Sequence, residues 1–266
     1  MLRRRRACGF CALHRYDYEV SKNEALEESS VEAGETGLTL EPVEKRSHST
    51  PTTRLVLVRH AVTSQTGPLL SGRKPGIDLS DEGREQAKAV GLRLAPPVRI
   101  DRIFSSPIER TQQTAQAIAQ HHNLEVVTLD GVIEAEYGDW TGGALADLAR
   151  TDLWKVVQTA PSRARFPNGE GIAEMQARMV SALDEVIATH AGENIVIVSH
   201  ADPIKAAIAH YSGVHLDLFQ RVVVSPASVT VFEFGGFGGS LVKLNDTGTL
   251  SELASCAKDS AKDEES

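Results

Sequence analysis

The sequence has few cysteines, no surplus of positive charge and no long apolar run, and each absence excludes a class of protein. Its 266 residues include three cysteines, too few for a disulfide framework. Acidic residues outnumber basic ones by 36 to 28, which disfavours binding of nucleic acid. No apolar stretch is long enough to span a membrane, and no apolar signal segment follows the basic N-terminus. We therefore expect a cytoplasmic protein with no membrane or nucleic-acid partner.

Both ends of the chain differ in composition from its middle. Residues 1–53 combine an arginine cluster with a Glu-, Ser- and Thr-rich stretch, and residues 251–266 are small and acidic. This composition predicts a disordered N-terminal extension and a disordered C-terminal tail around one domain at 54–250. Cys8 and Cys11 form a CxxC pair near His14, but one such pair outside a βαβ unit is weak evidence for a metal or redox site.

Two apolar, β-branched stretches of the chain each lead to a histidine. Leu55–Val58 is followed by Arg59 and His60, and Ile195–Val198 is followed by Ser199 and His200. Continuous runs of this kind are typical of buried strands in a parallel sheet. Ligand sites in open α/β sheets lie at the carboxyl ends of the strands, so we expect both histidines at one edge of the sheet. A single strand could end in polar residues merely because it reaches solvent, but the second copy argues against chance.

Strands and helices alternate through the middle of the chain. The apolar spacing predicts strands at 55–58, 100–105, 125–129 and 195–198, and helices at 80–94, 106–120, 144–158, 171–190 and 203–212. Ser80 and Ser106 are the expected N-caps of the first two helices, and Pro107 follows the second cap. A glycine-rich hairpin at 228–244 ends the pattern. This order predicts the α/β class, as a three-layer α/β/α sandwich with a mostly parallel central sheet.

Arginines and carboxylates are placed where they could join the two histidines. Arg110 lies in the first turn of a predicted helix, where its guanidinium and the helix N-terminus together favour an anion. Arg59 and Arg110 supply forked donors that fit phosphate oxygens, and a neutral His60 is nucleophilic near neutral pH. Glu134 or Glu136 could protonate a leaving oxygen, a step that typically contributes about 100- to 10,000-fold. These are the parts of phosphoryl transfer through histidine, with no metal and no cofactor required.

Four segments resemble, in order and spacing, the motifs of the histidine phosphatase superfamily, whose fold is called phosphoglycerate mutase-like. They are RHAVT at 59–63, SSPIERTQQTA at 105–115, Glu134 with YGDW at 137–140, and VSH at 198–200. The resemblance covers about residues 54–250. It is greatest to the short phosphatase-type branch that is often labelled as phosphomutases, through WKVV at 154–157, FQR at 219–221 and LNDTG at 244–248.

The resemblance implies a role for each matching residue. His60 would be the nucleophile that becomes phosphohistidine, and Glu134 the proton donor, with Glu136 as its local rival. The positions expected to bind the phosphoryl group are Arg59, Arg110, His200, Thr66 and Ala201. Arg73 is expected to reach the substrate pocket, and Trp140 either forms a wall of that pocket or packs in the core.

Three positions depart from the family's pattern. Ala61 and Ala201 follow the two histidines where glycine is usual, and Thr66 stands where many members have a phosphate-contacting asparagine. Alanine does not tolerate the left-handed region, so activity requires ordinary negative φ at both alanines. Losing one donor at Thr66 slows such an enzyme without abolishing its chemistry.

The sequence thus predicts an enzyme, a metal-independent phosphomonoesterase of the histidine acid phosphatase type. It would hydrolyse a small phosphorylated metabolite through a phosphohistidine on His60. One alternative is a cofactor-dependent phosphoglycerate mutase-type phosphomutase, which the short segment from Glu134 to His200 disfavours because that branch has a longer lid. Another is a catalytically weak phosphate-binding or regulatory module, suggested by the three departures and the charged tails. The substrate's identity and the oligomeric state, a homodimer included, stay open.

Overall fold

A computed structural model of the chain describes residues 52–248, so the expectations for both tails, including Cys8 and Cys11, lie outside the described residues. In that range six strands form one sheet. They are β1 (Thr53–Arg59), β2 (Arg102–Ser105), β3 (Val126–Thr128), β4 (Asn194–Ser199), β5 (Val229–Gly235) and β6 (Gly238–Asp246).

The strand order across the sheet is β3-β2-β4-β1-β5-β6, and β1 to β4 are mutually parallel. β5 runs antiparallel to both β1 and β6, which makes the predicted hairpin an edge of the sheet. The mostly parallel sheet is therefore confirmed. β1 begins at Thr53, one residue before the predicted domain boundary, and the Thr53 hydroxyl accepts a hydrogen bond from the Gly192 amide at 2.8 Å.

Six α-helices accompany the sheet within the described range. They are α1 (Asp81–Arg93), α2 (Glu109–Ala119), α3 (Leu145–Leu148), α4 (Asp152–Thr159), α5 (Ile172–Thr189) and α6 (Ala201–Tyr211). The prediction of a single helix at 144–158 is wrong, because the helix is interrupted between α3 and α4. There the Thr151 hydroxyl caps α4 by accepting from the Trp154 amide at 3.2 Å. Asp, Asn, Ser and Thr favour such caps over helix interiors, which explains the break.

The predicted start of α2 at Ser106 is also wrong. The helix begins at Glu109 after Ile108, which makes no side-chain cap. Ser106 lies at a long 3.4 Å from the Ile108 amide, whereas its hydroxyl is 2.8 Å from the imidazole of His200. The Ser106 hydroxyl therefore bonds mainly to His200, which follows β4, and only weakly to the start of its own helix.

The alternation of side chains along β1 creates a core on each face of the sheet. Val56 and Val58 pack with residues of α1 and α2, whereas Leu55 and Leu57 pack with residues of α5 and α6. Successive residues of a strand point to opposite faces, so an unbroken apolar run belongs to a strand covered on both sides. The three-layer arrangement follows. No helix in the 52–248 range is both long and apolar enough to cross a membrane.

Candidate active site

The two histidines predicted from strand ends meet at one edge of the sheet. Arg59 of β1 pairs in parallel register with Ser199 of β4, so His60 and His200 follow adjacent strands. Their ring centroids are 5.2 Å apart, and both residues are buried. The sequence expectation that they share an edge is confirmed.

Hydrogen bonds fix the tautomer of His60. Its Nδ1 lies 2.8 Å from the carbonyl oxygen of Ala61. A carbonyl only accepts, so Nδ1 carries the proton and Nε2 keeps its lone pair. Nε2 accepts from Arg110 Nε at 3.2 Å. Burial, and then the charges of Arg110 and Arg59, hold the pKa of His60 well below its usual value, so the imidazole is neutral at physiological pH.

His200 has the opposite tautomer for the same kind of reason. Its Nδ1 lies 3.1 Å from Arg110 Nη2, which only donates, so the proton is on Nε2. Nε2 then donates to the hydroxyl of Ser106 at 2.8 Å. Burial and the Arg110 charge hold the pKa of His200 well below its usual value. The contribution of Ser106 escaped the sequence analysis, which had assigned this hydroxyl to a helix cap.

Two guanidinium groups line the same cavity as His60, and only part of their donors are paired. Arg59 Nη1 donates to the Val224 carbonyl at 2.7 Å, and Arg110 Nη2 donates to the Gly72 carbonyl at 2.8 Å. Arg59 Nε and Arg110 Nη1 are buried without a hydrogen-bond partner among the described residues. Burying an unpaired donor is costly, so two of them in one cavity favour an anionic ligand there.

Glu134 is the carboxylic acid of the site. It is 7% exposed, and its Oε2 is 3.8 Å from His200 Nδ1. Burial first, and then the charge of Asp202, raise the pKa of Glu134 to about 7. Its rival Glu136 has a side chain that is 41% exposed and pairs with Arg73 at 3.5 Å. Glu134, and not Glu136, therefore lies next to His200.

The sequence predicted that Arg73 would reach the cavity, but its side chain does not line it. Its Nε donates to the backbone carbonyl of Glu134 at 2.8 Å, and its Nη2 pairs with Glu170 at 3.2 Å. Arg178 pairs with the same carboxylate and donates to the carbonyls of Gly131 and Ile133 at 2.8 and 3.0 Å. Arg73, Glu170 and Arg178 form a cluster that holds the backbone of Glu134 from behind. Sequence reasoning missed this use because guanidinium groups were matched to phosphate alone.

The three departures from the family's pattern do not distort the backbone of the site. Neither Ala61 nor Ala201 has a positive φ. The Ala61 methyl is fully buried in the core with α1 and α2, while Ala201 begins α6 and lines the cavity. Thr66 also lines the cavity, and its hydroxyl accepts from the Thr63 amide at 2.9 Å. The condition that the sequence analysis set for activity is met.

A cavity of about 290 Å³ opens over His60. Arg59, Arg110 and Glu134 line it together with His60, and apolar and aromatic side chains from the segment 137–166 form another part of its lining. Trp140 is 7% exposed and belongs both to this part of the lining and to a core cluster. Within residues 52–248 no group of three or more His, Cys, Asp or Glu side chains is arranged to hold a metal.

Asp202 lies at the rim of the site, in the first turn of α6, and sequence reasoning did not single it out. Its Oδ2 accepts from the hydroxyl of Tyr137 at 2.9 Å, and its Oδ1 is 3.6 Å from Lys205 Nζ. The signal that could have found it is its position two residues after His200. A carboxylate at that spacing lies over the same strand end.

Comparison with known proteins identifies relatives over most of the described range. The model of the histidine phosphatase superfamily (branch 1) matches residues 55–247. Phosphoserine phosphatase 1 of Hydrogenobacter thermophilus is 35% identical over 206 residues, which are 75% of this chain and 95% of that protein.

Two solved phosphatase structures are similar to this chain in fold. A phosphoserine phosphatase of Entamoeba histolytica, solved as a mutant in complex with phosphoserine, has a TM-score of 0.67 and 26% identity, covering 73% of this chain and 98% of its own. The alpha-ribazole phosphatase of Shigella flexneri has a TM-score of 0.65 and 26% identity, covering 73% of this chain and 96% of its own.

Proposed function

The chain belongs to the histidine phosphatase superfamily, and on that premise we propose that it hydrolyses a small phosphate monoester through a phosphohistidine on His60, without a metal. One observation carries the proposal. Arg59 and Arg110, each with a buried donor that has no partner among the described residues, line one cavity with a neutral histidine whose Nε2 is unprotonated. That arrangement binds a phosphoryl group and presents a nucleophile to it at once.

In the first step the phosphoryl oxygens take the free donors of Arg59 and Arg110. His60 Nε2 then forms a bond to phosphorus as the bond to the ester oxygen breaks. The protonated carboxyl of Glu134 donates its proton to that oxygen, and an alcohol leaves. The guanidinium groups stabilise the charge on the transferring phosphoryl group, which is the part a metal plays in other enzymes.

In the second step the same groups act in reverse. The Glu134 carboxylate takes a proton from water, the water oxygen bonds to phosphorus, and the bond to His60 Nε2 breaks. Phosphate leaves, and Glu134 is again protonated. A pKa of about 7 suits a group that must be an acid in one step and a base in the next.

The relatives support phosphatase chemistry on a small substrate. One is named as a phosphoserine phosphatase, and another structure of the Entamoeba histolytica enzyme holds 3-phosphoglyceric acid. A phosphomutase would share the first step but pass the phosphoryl group to a second alcohol. A binding module would keep the anion site and form no phosphoenzyme.

The test is a rapid-quench assay with purified protein and a ³²P-labelled alkyl phosphate in EDTA, comparing the wild type with His60→Ala. We expect acid-labile label on the wild-type protein and release of inorganic phosphate, with both absent in His60→Ala because Nε2 is the attacking atom. His210→Ala, at an exposed histidine of α6, is the matched control and should behave as wild type.

The three functions give different results. Label with phosphate release identifies the phosphatase. Label that passes to an added alcohol, with little free phosphate, would identify the mutase instead. Absence of label from the wild type, together with tight binding of inorganic phosphate, would leave the binding module.

A further inference from the structure

Apolar and aromatic side chains from the segment 137–166 form one wall of the active-site cavity, beside the polar Tyr137 and Gln158. Trp140 and Trp154 stack with ring centroids 6.3 Å apart and an interplanar angle of 29°. Phe166 packs on Trp140 at 5.5 Å, and Leu145 and Val157 complete the wall. Trp140, Phe166 and Val157 are buried, so most of this wall is held in place by the core beneath it.

Apart from Arg59, Arg110 and Glu134, the cavity lining contributed by residues 52–248 contains one cation and one anion, Lys205 and Asp202, together with the uncharged polar Gln158 and Gln220. Lys205 Nζ and Asp202 Oδ1 form an ion pair with a separation of 3.6 Å. Lys205 Nζ also donates to Gln220 Oε1 at 3.1 Å, and Asp202 accepts from Tyr137 at 2.9 Å. Neither charge is left unpaired for a substrate group.

A phosphorylated amino acid or hydroxy acid would bring a carboxylate, and an amino acid an ammonium as well, into this wall. Desolvating either charge without a partner is costly. If Lys205 or Asp202 paired with the substrate instead, the other member of the pair would lose its partner. A hydrocarbon group in the same volume gains instead from leaving water.

We propose that the preferred substrate is the phosphate ester of an uncharged, apolar alcohol with an aromatic or branched hydrocarbon group. This rests on the proposed function for its chemistry, and the aromatic wall supplies the selectivity. The substrate class therefore differs from that in the names of the phosphoserine phosphatase relatives, although the phosphate end is shared.

The kinetic test compares 2-phenylethyl phosphate with phosphoserine and with ethyl phosphate. All three are esters of primary alcohols, so differences report the cavity more than the leaving group. Burying a phenyl group contributes about 1.5–3 kcal/mol, so kcat/KM for the phenylethyl ester should exceed that for ethyl phosphate by about 10- to 150-fold. The kcat/KM for phosphoserine should be equal to or lower than that for ethyl phosphate.

A binding test separates the inference from the chemistry. The chain contains two tryptophans, and both line the cavity, so intrinsic fluorescence reports on it directly. The probes are 3-phenylpropylphosphonate and 2-amino-4-phosphonobutyrate, neither of which can be hydrolysed. We expect the first to change the fluorescence at concentrations at least tenfold lower than the second.

Trp154→Ala tests the wall itself. The ratio of kcat/KM for the phenylethyl and ethyl esters should fall about tenfold, while Trp154→Phe restores most of it. A circular dichroism spectrum like that of the wild type shows that the fold is intact.

Each outcome decides a different point. If phosphoserine or its phosphonate analogue is preferred, the inference is wrong while the proposed function stands. If no ester is hydrolysed and no phosphoenzyme forms, yet the phenyl phosphonate binds preferentially, the hydrolysis is wrong and the selectivity of the cavity stands. If Trp154→Ala leaves the ratio unchanged, this wall does not choose the substrate.

Discussion

The protonation states of the site follow from single contacts. A carbonyl at His60 Nδ1 and a guanidinium at His200 Nδ1 give the two imidazoles opposite tautomers. Burial keeps both rings neutral, whereas it keeps Glu134 protonated to about pH 7. Burial always disfavours the charged form, so it prepares a base and an acid in the same cavity.

Activity on alkyl phosphates should therefore decline as pH rises through about 7. Glu134 has its pKa raised to about 7, so the acid form is present below that pH and is lost above it. The measurement is kcat/KM for 2-phenylethyl phosphate between pH 5 and 9. Glu134→Gln should lower the alkyl rate by about 100- to 10,000-fold and remove this decline. p-Nitrophenyl phosphate is the control, because its leaving group needs no proton and its rate should fall much less.

Asp202→Asn should move the same decline to lower pH. The negative charge of Asp202 helps to raise the pKa of Glu134, so its removal lets Glu134 ionise sooner. The amide oxygen of asparagine can still accept from Tyr137, which keeps the geometry. The pH profile of kcat/KM is the readout, and Asp147→Asn, on an exposed side chain, is the control. An unshifted profile would mean that burial alone determines the pKa of Glu134.

The contact between helices α1 and α2 positions Arg110, and it requires the two helix backbones to come close together. α1 crosses α2 at Gly91, where an added Cβ would lie 2.3 Å from the Ala117 carbonyl oxygen. The same pair of helices covers the sheet face under Val56 and Val58. The position of Arg110 at the start of α2 therefore depends on a contact two turns further along that helix.

Gly91→Ala should destabilise the protein by about 1–3 kcal/mol through overpacking. At an exposed helical position the same change would stabilise by about 0.5–1 kcal/mol, so the sign is diagnostic. Urea unfolding followed by circular dichroism measures it. Lys88→Ala, at an exposed position of α1, should change the midpoint little. A stabilised Gly91→Ala protein would mean that α1 and α2 separate without cost.

The cluster behind Glu134 should matter for rate more than for substrate binding. Glu170→Gln removes the charge that Arg73 and Arg178 share, and the backbone they hold carries the acid. A misplacement of about 1 Å can cost about 100-fold in rate. We expect kcat for an alkyl phosphate to fall by up to that factor, with a smaller loss for p-nitrophenyl phosphate. Equal losses for both esters would show a general disruption and not a misplaced proton donor.

At the scale of the molecule, we propose that the domain at 54–250 is the functional unit. Strand β1 starts at Thr53, whose hydroxyl bonds the Gly192 amide, so a truncated chain should begin earlier than the composition suggested. Residues 48–250 alone should unfold in one cooperative transition, with kcat/KM within about twofold of that of the full chain. Calorimetry and the phosphatase assay measure these. A large loss of activity in the truncated chain would assign the tails a part in catalysis.

The sequence by itself determined what depends on local pattern. Apolar runs located β1 and β4, and the polar residues after them located His60 and His200, since parallel strands end at a common edge. The first turn of a predicted helix singled out Arg110, and the resemblance to the family favoured Glu134 over Glu136; the roles of both residues stay predictions. Helix boundaries were less certain, because a capping hydroxyl such as Thr151 or Ser106 can serve several partners with similar free energy.

Only the tertiary structure decided where long side chains and capping hydroxyls find their partners. Ser106 bonds a histidine 94 positions away, and Arg73 turns to a backbone carbonyl 61 positions away instead of entering the cavity. Trp154 faces Trp140 because α3 and α4 break apart at Thr151. Such contacts join residues that are distant in the chain, and a pattern read along the chain contains no information on distances across the fold. The meeting of His60 and His200 at one edge of the sheet was therefore predictable from the sequence, whereas the stacking of Trp154 on Trp140 was not.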